Sequence, residues 1–230
     1  MEKIVYLVRA MPDPAAGDLL REELLALARS LDVHAATVLV HDTEASAAPS
    51  PAPAPDGEPV HVAQLSVWVD CYQFRPQIDL GPEYDVAAHL VVESLYEDHD
   101  PPPPAGERSP GVLTVATINR PSGLGEAEWL HHWHEVQSPA SARLQPRRRY
   151  VRNRVVQALT PGAPEIDGIV EEAWASTDVV ADPLLFFNTG GDPDKLGPMV
   201  EEMMANVTAC LDLARLRSTT MSEYRSIGDA

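Results

Sequence analysis

A run of four prolines near the middle of the chain limits the fold more than any other feature. Residues 98–106 read Asp-His-Asp-Pro-Pro-Pro-Pro-Ala-Gly. Proline has no backbone N–H to donate and disrupts both helices and central strands, so no helix or strand is expected to cross this stretch. Because 230 residues are enough for one large domain or two small ones, we predict an N-terminal half at residues 1–105 and a C-terminal half at residues 106–230.

Hydrophobic patterning predicts similar elements in the two halves. In the first half we predict strands at residues 4–9, 34–41, 61–72 and 87–96 and a helix at residues 18–31. In the second half we predict strands at residues 112–118, 147–159, 168–175 and 219–224, with helices that start near residues 129, 138 and 196. A second helix is not expected in the first half because residues 74–85 contain too many breakers.

Matching landmarks indicate an internal repeat. A proline follows the first strand of each half, at Pro12 and Pro121, which are 109 residues apart. Trp68 and Trp174 are 106 residues apart. The two offsets agree to within a small insertion, which suggests two copies of one supersecondary unit.

A Pro/Ala-rich tract at residues 43–59 interrupts the first half. Such a composition offers little apolar surface to bury. We therefore predict a mobile, partly polyproline-like loop that proteases cut first.

Charge excludes several classes of partner. The chain has 35 acidic and 17 basic residues, a formal charge of -18, which repels phosphate backbones and anionic bilayers. No apolar run is long enough to span a membrane, and no signal peptide is recognisable. Cys71 and Cys210 cannot form a disulfide framework. We expect a cytoplasmic protein that binds neither nucleic acid nor membranes, and a homodimer is left open.

Residues 129–153 are the candidate site, because aromatic, imidazole and amide side chains are concentrated there. On a helix, Trp129, Trp133 and Gln137 share one face, with His132 beside them. Ser138 before Pro139 is typical of an N-cap, which predicts a second short helix.

The strand that follows has two different faces. Tyr150, Arg152 and Arg154 alternate with Asn153 and Gln157, so only one set can reach a pocket. Six arginines in this region could hold an anionic oxygen, although such clusters more often pair with surface acids.

Metal and cofactor signals are weak. His131, His132 and His134 are close in sequence, but a zinc site needs a third ligand at good geometry, so solvated or capping histidines are the simpler interpretation. The chain has no GxGxxG, P-loop, GxSxG or CxxC motif. We therefore expect neither a metal nor a cofactor.

The candidate region resembles the EthD-domain family of the dimeric α/β-barrel superfamily. The resemblance rests on the aromatic-xxx-Trp-xxx-polar-x-Pro pattern, the Tyr-x-x-Asn strand and two later runs, namely residues 129–139, 150–153, 167–171 and 210–224. It implies an α+β fold of two ferredoxin-like halves in tandem that form a pseudo-dimeric α/β barrel, with a pocket between sheet and helix. Many relatives have histidine where this chain has Gln137, and glutamine does not take a proton at neutral pH.

The resemblance and the polar cluster together suggest a cofactor-independent enzyme for a small apolar, aromatic or polyketide-like molecule, of lyase, dehydratase or cyclase type. The alternatives are a non-catalytic carrier and a cofactor-free oxygenase. The candidate catalytic residues are His132, His134, Gln137 and Tyr150, and the candidate substrate-binding residues are Trp129, Trp133, Gln145, Asn153, Arg152, Trp68 and Trp174. Core packing is an equally good interpretation of the indoles.

Overall fold

The computed structural model describes residues 1–99 and 103–227, and its named strands close into one antiparallel barrel. Residues 100–102, in the proline-rich stretch, lie outside the described residues. The strands are β1 (Glu2–Ala10), β2 (Ala35–Val40), β3 (Val60–Val69), β4 (Asp85–Asp98), β5 (Val112–Ile118), β6 (Arg149–Ala158), β7 (Gly168–Trp174) and β8 (Arg217–Ile227). Their order around the barrel is β1-β3-β2-β8-β5-β7-β6-β4. The fold is therefore an eight-stranded α+β barrel.

The strand order repeats between the first four strands and the last four. Starting from β4, the barrel reads β4-β1-β3-β2 and then β8-β5-β7-β6. Each set thus has the order fourth, first, third, second. The pairs β2·β8 and β4·β6 join the two sets, so one barrel interior is shared by both.

Six α-helices lie outside the barrel in the described part of the chain. They are α1 (Pro14–Ser30), α2 (Glu126–His131), α3 (Ser138–Leu144), α4 (Thr177–Ala181), α5 (Pro183–Phe186) and α6 (Leu196–Cys210). Between β3 and β4 there is only the short 3₁₀ turn Tyr72–Phe74, in agreement with the breakers in that segment. No helix of the described residues is long and apolar enough to cross a membrane.

Helix α1 begins four residues earlier than predicted. The Asp13 carboxylate accepts hydrogen bonds from the backbone N–H groups of Ala15 and Ala16, at 3.0 and 3.3 Å. Pro14 therefore occupies the first helical position, where its missing N–H costs nothing. The helix then buries Leu20 and Leu24 against the sheet of the first half.

Ser138 is not the N-cap that was predicted. A π-helical turn, His132–Gln137, joins α2 to α3, and Ser138 itself has helical angles (φ -62°, ψ -46°). Its hydroxyl donates to the Trp133 carbonyl oxygen at 2.7 Å. The widened turn keeps the helical path continuous and changes the faces that its residues present.

Part of the Pro/Ala-rich tract packs against the barrel, and its predicted mobility and cleavage by proteases stay predictions. Ala45 and Ala48 are buried in a cluster with Trp174. The Ala52 N–H donates to the Ser218 hydroxyl at 2.9 Å, and the Ser218 N–H donates to the Ala52 carbonyl oxygen at 2.8 Å. Alanine is small enough to pack against an indole, and β8 supplies the backbone partners that the composition alone could not reveal.

The barrel interior combines an apolar middle with a charged end. Its apolar residues are Val5, Leu7, Leu39, Val91, Leu113, Val115, Ile169 and Met221. Beyond them, the buried Glu171 carboxylate is 3.3 Å from the Lys3 ammonium and accepts from the amides of Gln64 (2.8 Å) and Asn153 (2.9 Å). Burial acts to raise the pKa of Glu171, but these partners and Arg149 outweigh it and hold the pKa below its usual value.

Two histidines with buried ring nitrogens near the other end of the barrel predict sensitivity to acid. Burial lowers the pKa of His89 and, together with the charge of Arg9, lowers the pKa of His61 from 6.5 to about 4. Between pH 4 and pH 6.5 these histidines are protonated in the unfolded chain but not in the folded protein. The free energy of unfolding therefore falls as the pH drops through this window. We expect His61→Gln to reduce this fall by at most about 3 kcal/mol, measured by urea unfolding across that window. His131→Gln, at an exposed histidine, should leave the pH dependence unchanged, and an unchanged slope in His61→Gln would contradict the prediction.

Candidate functional site

A cavity of about 470 Å³ lies between the outer face of the second-half sheet and the helices that cover it. Its wall is mostly apolar. The residues that line it are Pro51, Ala52, Thr114, Ala116, Ile118, Trp133, Gln137, Gln145, Tyr150, Val170, Glu172, Phe186, Phe187, Met203, Met204, Val207, Leu211, Leu213, Leu216 and Ser218. Pockets of this size and polarity are typical of small-molecule sites.

Strand alternation and one glycine create this space. On β5, Thr114, Ala116 and Ile118 line the cavity, whereas Leu113 and Val115 belong to the barrel interior. A Cβ atom on Gly168 would lie 2.8 Å from the ring of Trp133. The absence of a side chain at that position therefore lets the Trp133 ring lie directly against β7.

Trp133 orients the Tyr150 hydroxyl. The indole N–H donates to the hydroxyl oxygen at 3.1 Å, and indole can only donate. The Ser138 side chain also lies within hydrogen-bonding reach of the Tyr150 hydroxyl. Burial raises the pKa of Tyr150, and the nearby Glu172 charge adds to the effect, so the phenol stays protonated at neutral pH.

Glu172 is the only carboxylate among the described cavity residues. Its carboxylate accepts from the Arg147 guanidinium at 2.9 Å and from the Thr114 hydroxyl at 3.4 Å. Arg147 also lies over the Tyr150 ring, 4.0 Å from its centroid, and pairs with Glu97 at 3.4 Å. The acid, the phenol and the cation thus form one connected group at the cavity wall.

Two glutamines have unused hydrogen-bonding capacity. Gln137 is buried and donates to the Met203 sulfur at 3.3 Å, a weak acceptor, while its amide oxygen has no partner among the described residues. Gln145 is also buried, and its side chain makes no hydrogen bond with the described residues. A buried amide without partners costs free energy, and a polar ligand in the cavity would supply those partners.

Four of the predicted site residues line the cavity: Trp133, Gln137, Gln145 and Tyr150. Trp129 is buried behind Trp133, with ring centroids 5.0 Å apart. Arg152 lies beside the helix, where its guanidinium donates to the Ser138 hydroxyl at 3.0 Å and the His134 carbonyl oxygen at 3.3 Å.

Neither His132 nor His134 lines the cavity. The His134 ring lies against the side of Trp133, with centroids 4.9 Å apart. Burial, followed by the charge of Arg152, lowers its pKa. No group of three His, Cys, Asp or Glu side chains in residues 1–99 and 103–227 is arranged to hold a metal ion.

The remaining predicted residues lie elsewhere. Asn153 is inside the barrel with Glu171, and Trp68 lies next to the Lys3 ammonium, 4.9 Å from its ring centroid. Trp174 packs against Phe186 with centroids 4.8 Å apart, and its N–H donates to Thr114 at 3.1 Å. Trp68 and Trp174, which were matched by spacing, thus occupy different environments on the third strand of each set.

Glu172, Thr114 and Met203 line the cavity but were not predicted as site residues. One signal was present: Glu171 and Glu172 are adjacent charges within an apolar strand. Alternation puts one on each face of the sheet. Glu171 accordingly lies inside the barrel, and Glu172 lines the cavity under the helices.

Comparison with known proteins identifies the fold. No protein-family model matches the chain, and no curated protein matches it. Among 27 matching chains of solved structures is one described as "Crystal structure study of anthrone oxidase-like protein", which is 12% identical, with a TM-score of 0.60 over 99% of this chain and 94% of that chain. At this identity the similarity establishes that the two proteins share a fold.

Proposed function

We propose that the protein is a cofactor-independent enzyme that removes a proton next to the carbonyl group of a hydroxylated aromatic, polyketide-like ketone. The observation that supports this most directly is the meeting of Tyr150, Gln137 and Glu172 on the wall of one apolar cavity. The apolar wall would hold fused aromatic rings. The polar groups are of the kinds needed to stabilise an enolate oxygen and accept a proton.

Each polar group has a distinct role in this proposal. The Tyr150 hydroxyl, oriented by Trp133, donates to the ketone oxygen as that oxygen gains negative charge. The Gln137 amide oxygen, which has no described partner, accepts from a ring hydroxyl of the substrate. Glu172 takes the proton from carbon, a role for which neither His132 nor His134 has a place on the cavity wall.

Enolate formation is a first step that lyase, dehydratase, cyclase and oxygenase reactions can share. The oxygenase alternative is favoured by the name of the anthrone oxidase-like protein. In that reaction, anthrone and dioxygen give anthraquinone and water: one oxygen atom becomes the new ketone, and the other leaves as water with the two hydrogens of the methylene group. The carrier alternative is favoured by the absence of histidine from the described cavity residues.

Anthrone itself is a suitable probe for these alternatives. Quenching of tryptophan fluorescence would report binding, because Trp133 lines the cavity. Exchange of the methylene hydrogens in D₂O under argon would report proton removal, and oxygen uptake with anthraquinone formation in air would report oxidation. We expect exchange faster than in buffer or with heat-denatured protein. If anthrone binds but its hydrogen exchange is not accelerated, the carrier hypothesis is favoured over the enzyme hypothesis. If anthrone does not bind, both hypotheses are rejected.

The same proposal includes the organisation of the chain into two halves. The repeated strand order supports two ferredoxin-like halves, at residues 1–105 and 106–230, that together form an EthD-type barrel. The cytoplasmic location and the homodimer remain predictions.

A further inference from the structure

A second pocket, of about 270 Å³, lies at one mouth of the barrel. Arg9 and His61, which pair across β1 and β3, line it together with Thr117, Arg215, Arg217 and Thr219. Its wall shares only Ser218 with the aromatic cavity. The two are therefore separate sites.

Positive charge collects here in a strongly acidic chain. Three of its 17 basic residues line this pocket. Arg215 donates to the Glu165 carbonyl oxygen at 2.7 Å, and Arg217 donates to the carbonyl oxygens of Ala214 (3.0 Å) and Leu216 (2.8 Å). Neither guanidinium has a carboxylate partner among the described residues, so both charges remain uncompensated by ion pairs.

Unpaired polar groups line the same pocket. Thr117 is 4% exposed and Thr219 is 7% exposed, and neither hydroxyl has a hydrogen-bond partner in the described part of the chain. The buried Nε2 of His61 also lacks one. Buried polar groups are normally paired, and a ligand in this pocket could pair with the His61 nitrogen and with both threonine hydroxyls.

The charged residues that line the pocket favour a small anion as its ligand. Glu58 and Glu165 also line the pocket, but neither forms an ion pair with its arginines. Arg9 is 3.8 Å from Asp85, whose side chain is 69% exposed, so that pair is loose. The arginines, hydroxyls and imidazole can all donate hydrogen bonds, as a carboxylate or phosphate group requires.

We propose that the barrel mouth formed by Arg9, His61, Thr117, Arg217 and Thr219 binds a small oxyanion, a carboxylate or a phosphate. The guanidiniums supply the charge and the threonine hydroxyls fix its position. The arrangement is independent of the aromatic cavity and of the reaction proposed there.

Calorimetric titration of the full chain with inorganic phosphate and with acetate, at constant ionic strength set by chloride, tests this site. We expect saturable binding of at least one probe. Phosphate alone would identify a phosphate site, acetate alone a carboxylate site, and both a general oxyanion site. Saturable binding of neither probe would overturn the proposal.

Variants locate the bound anion. Arg217→Gln removes a charge-assisted contact and should weaken binding roughly ten- to a hundredfold. Thr219→Val, which keeps the side-chain shape, should weaken it about two- to tenfold. Arg143→Gln, at an exposed arginine outside the pocket, should have no effect. If Arg143→Gln and Arg217→Gln weakened anion binding equally, binding would depend on the overall charge of the protein and not on this pocket. That result would overturn the proposal.

The His61 imidazole provides a second readout. Burial lowers the pKa of His61 most, and Arg9 and His89 lower it further. Glu58 and Glu165 line the same pocket. An anion beside the ring favours its protonated form. The pKa of His61, followed by NMR, should therefore rise on saturation with the probe that binds, whereas the ring signals of the exposed His131 should not move. An unchanged His61 pKa would overturn the assignment to this pocket.

Discussion

Replacing Glu172 by glutamine should lower the rate of proton removal from the cavity's substrate by about 10²–10⁴-fold, the usual contribution of a positioned base. Glutamine keeps the size of the side chain, and its single amide oxygen can still accept from Arg147 while its NH₂ faces the Thr114 hydroxyl, but it cannot take a proton. Substrate affinity should change little. The measurement is hydrogen exchange of anthrone in D₂O under argon, with the dissociation constant taken from fluorescence quenching.

Glu97→Gln is the matched control for this variant. Glu97 is the other carboxylate that pairs with Arg147, and it does not line the cavity. The two substitutions therefore disturb the same arginine, and only one removes the proposed base. His134→Ala tests one of the two histidines, His132 and His134, that the sequence predicts as catalytic residues. Near wild-type exchange in Glu172→Gln, combined with a large loss in His134→Ala, would transfer the role of base to His134.

Lys3→Met should lower the free energy of unfolding by about 3–5 kcal/mol, because it removes one partner of a buried ion pair. Lys3 and Glu171 have side chains only 3% and 2% exposed. The substitution leaves Glu171 with Arg149 at 3.5 Å and two amide donors, and it leaves Glu93 without its 2.7 Å contact to Lys3. Urea unfolding at pH 7 measures the loss.

Arg143→Met is the control for burial. Arg143 pairs with Glu202 at the surface, where the two side chains are 60% and 43% exposed, and exposed pairs typically contribute less than about 1 kcal/mol. If Lys3→Met proved no more destabilising than Arg143→Met, the charged end of the barrel would not depend on this pair.

Periodicity identified much of the secondary structure because it follows from burial on one face. Strand β5 has the predicted bounds, residues 112–118, because both of its faces are covered and its apolar run is short. The start of α1 was missed because Pro14 initiates the helix there and does not interrupt it. The π-helical turn was missed because its wider hydrogen-bonding pattern depends on packing, which local sequence does not encode.

Only part of the candidate site was accessible to the same reasoning. The helical spacing of Trp133 and Gln137 brought both to one face, and the structure lines the cavity with them. His132 was assigned to that face by a regular α-helical period, which the π-turn does not follow. Glu172 and Met203 reach the cavity from β7 and α6, and contacts between elements distant in sequence cannot be obtained from spacing alone.

The Pro/Ala-rich tract links the first half of the chain to the cavity of the second half. Through its hydrogen bonds to Ser218, the first half contributes Pro51 and Ala52 to a cavity whose polar groups all come from the second half. No helix between β3 and β4 covers the first half as α6 covers the second. Two halves joined in one chain are free to differ, as subunits of a symmetric dimer are not. The first half here forms part of the enclosure of the second half's cavity, so under the proposed function one chain would hold one aromatic ligand where a symmetric pair of such sites would hold two.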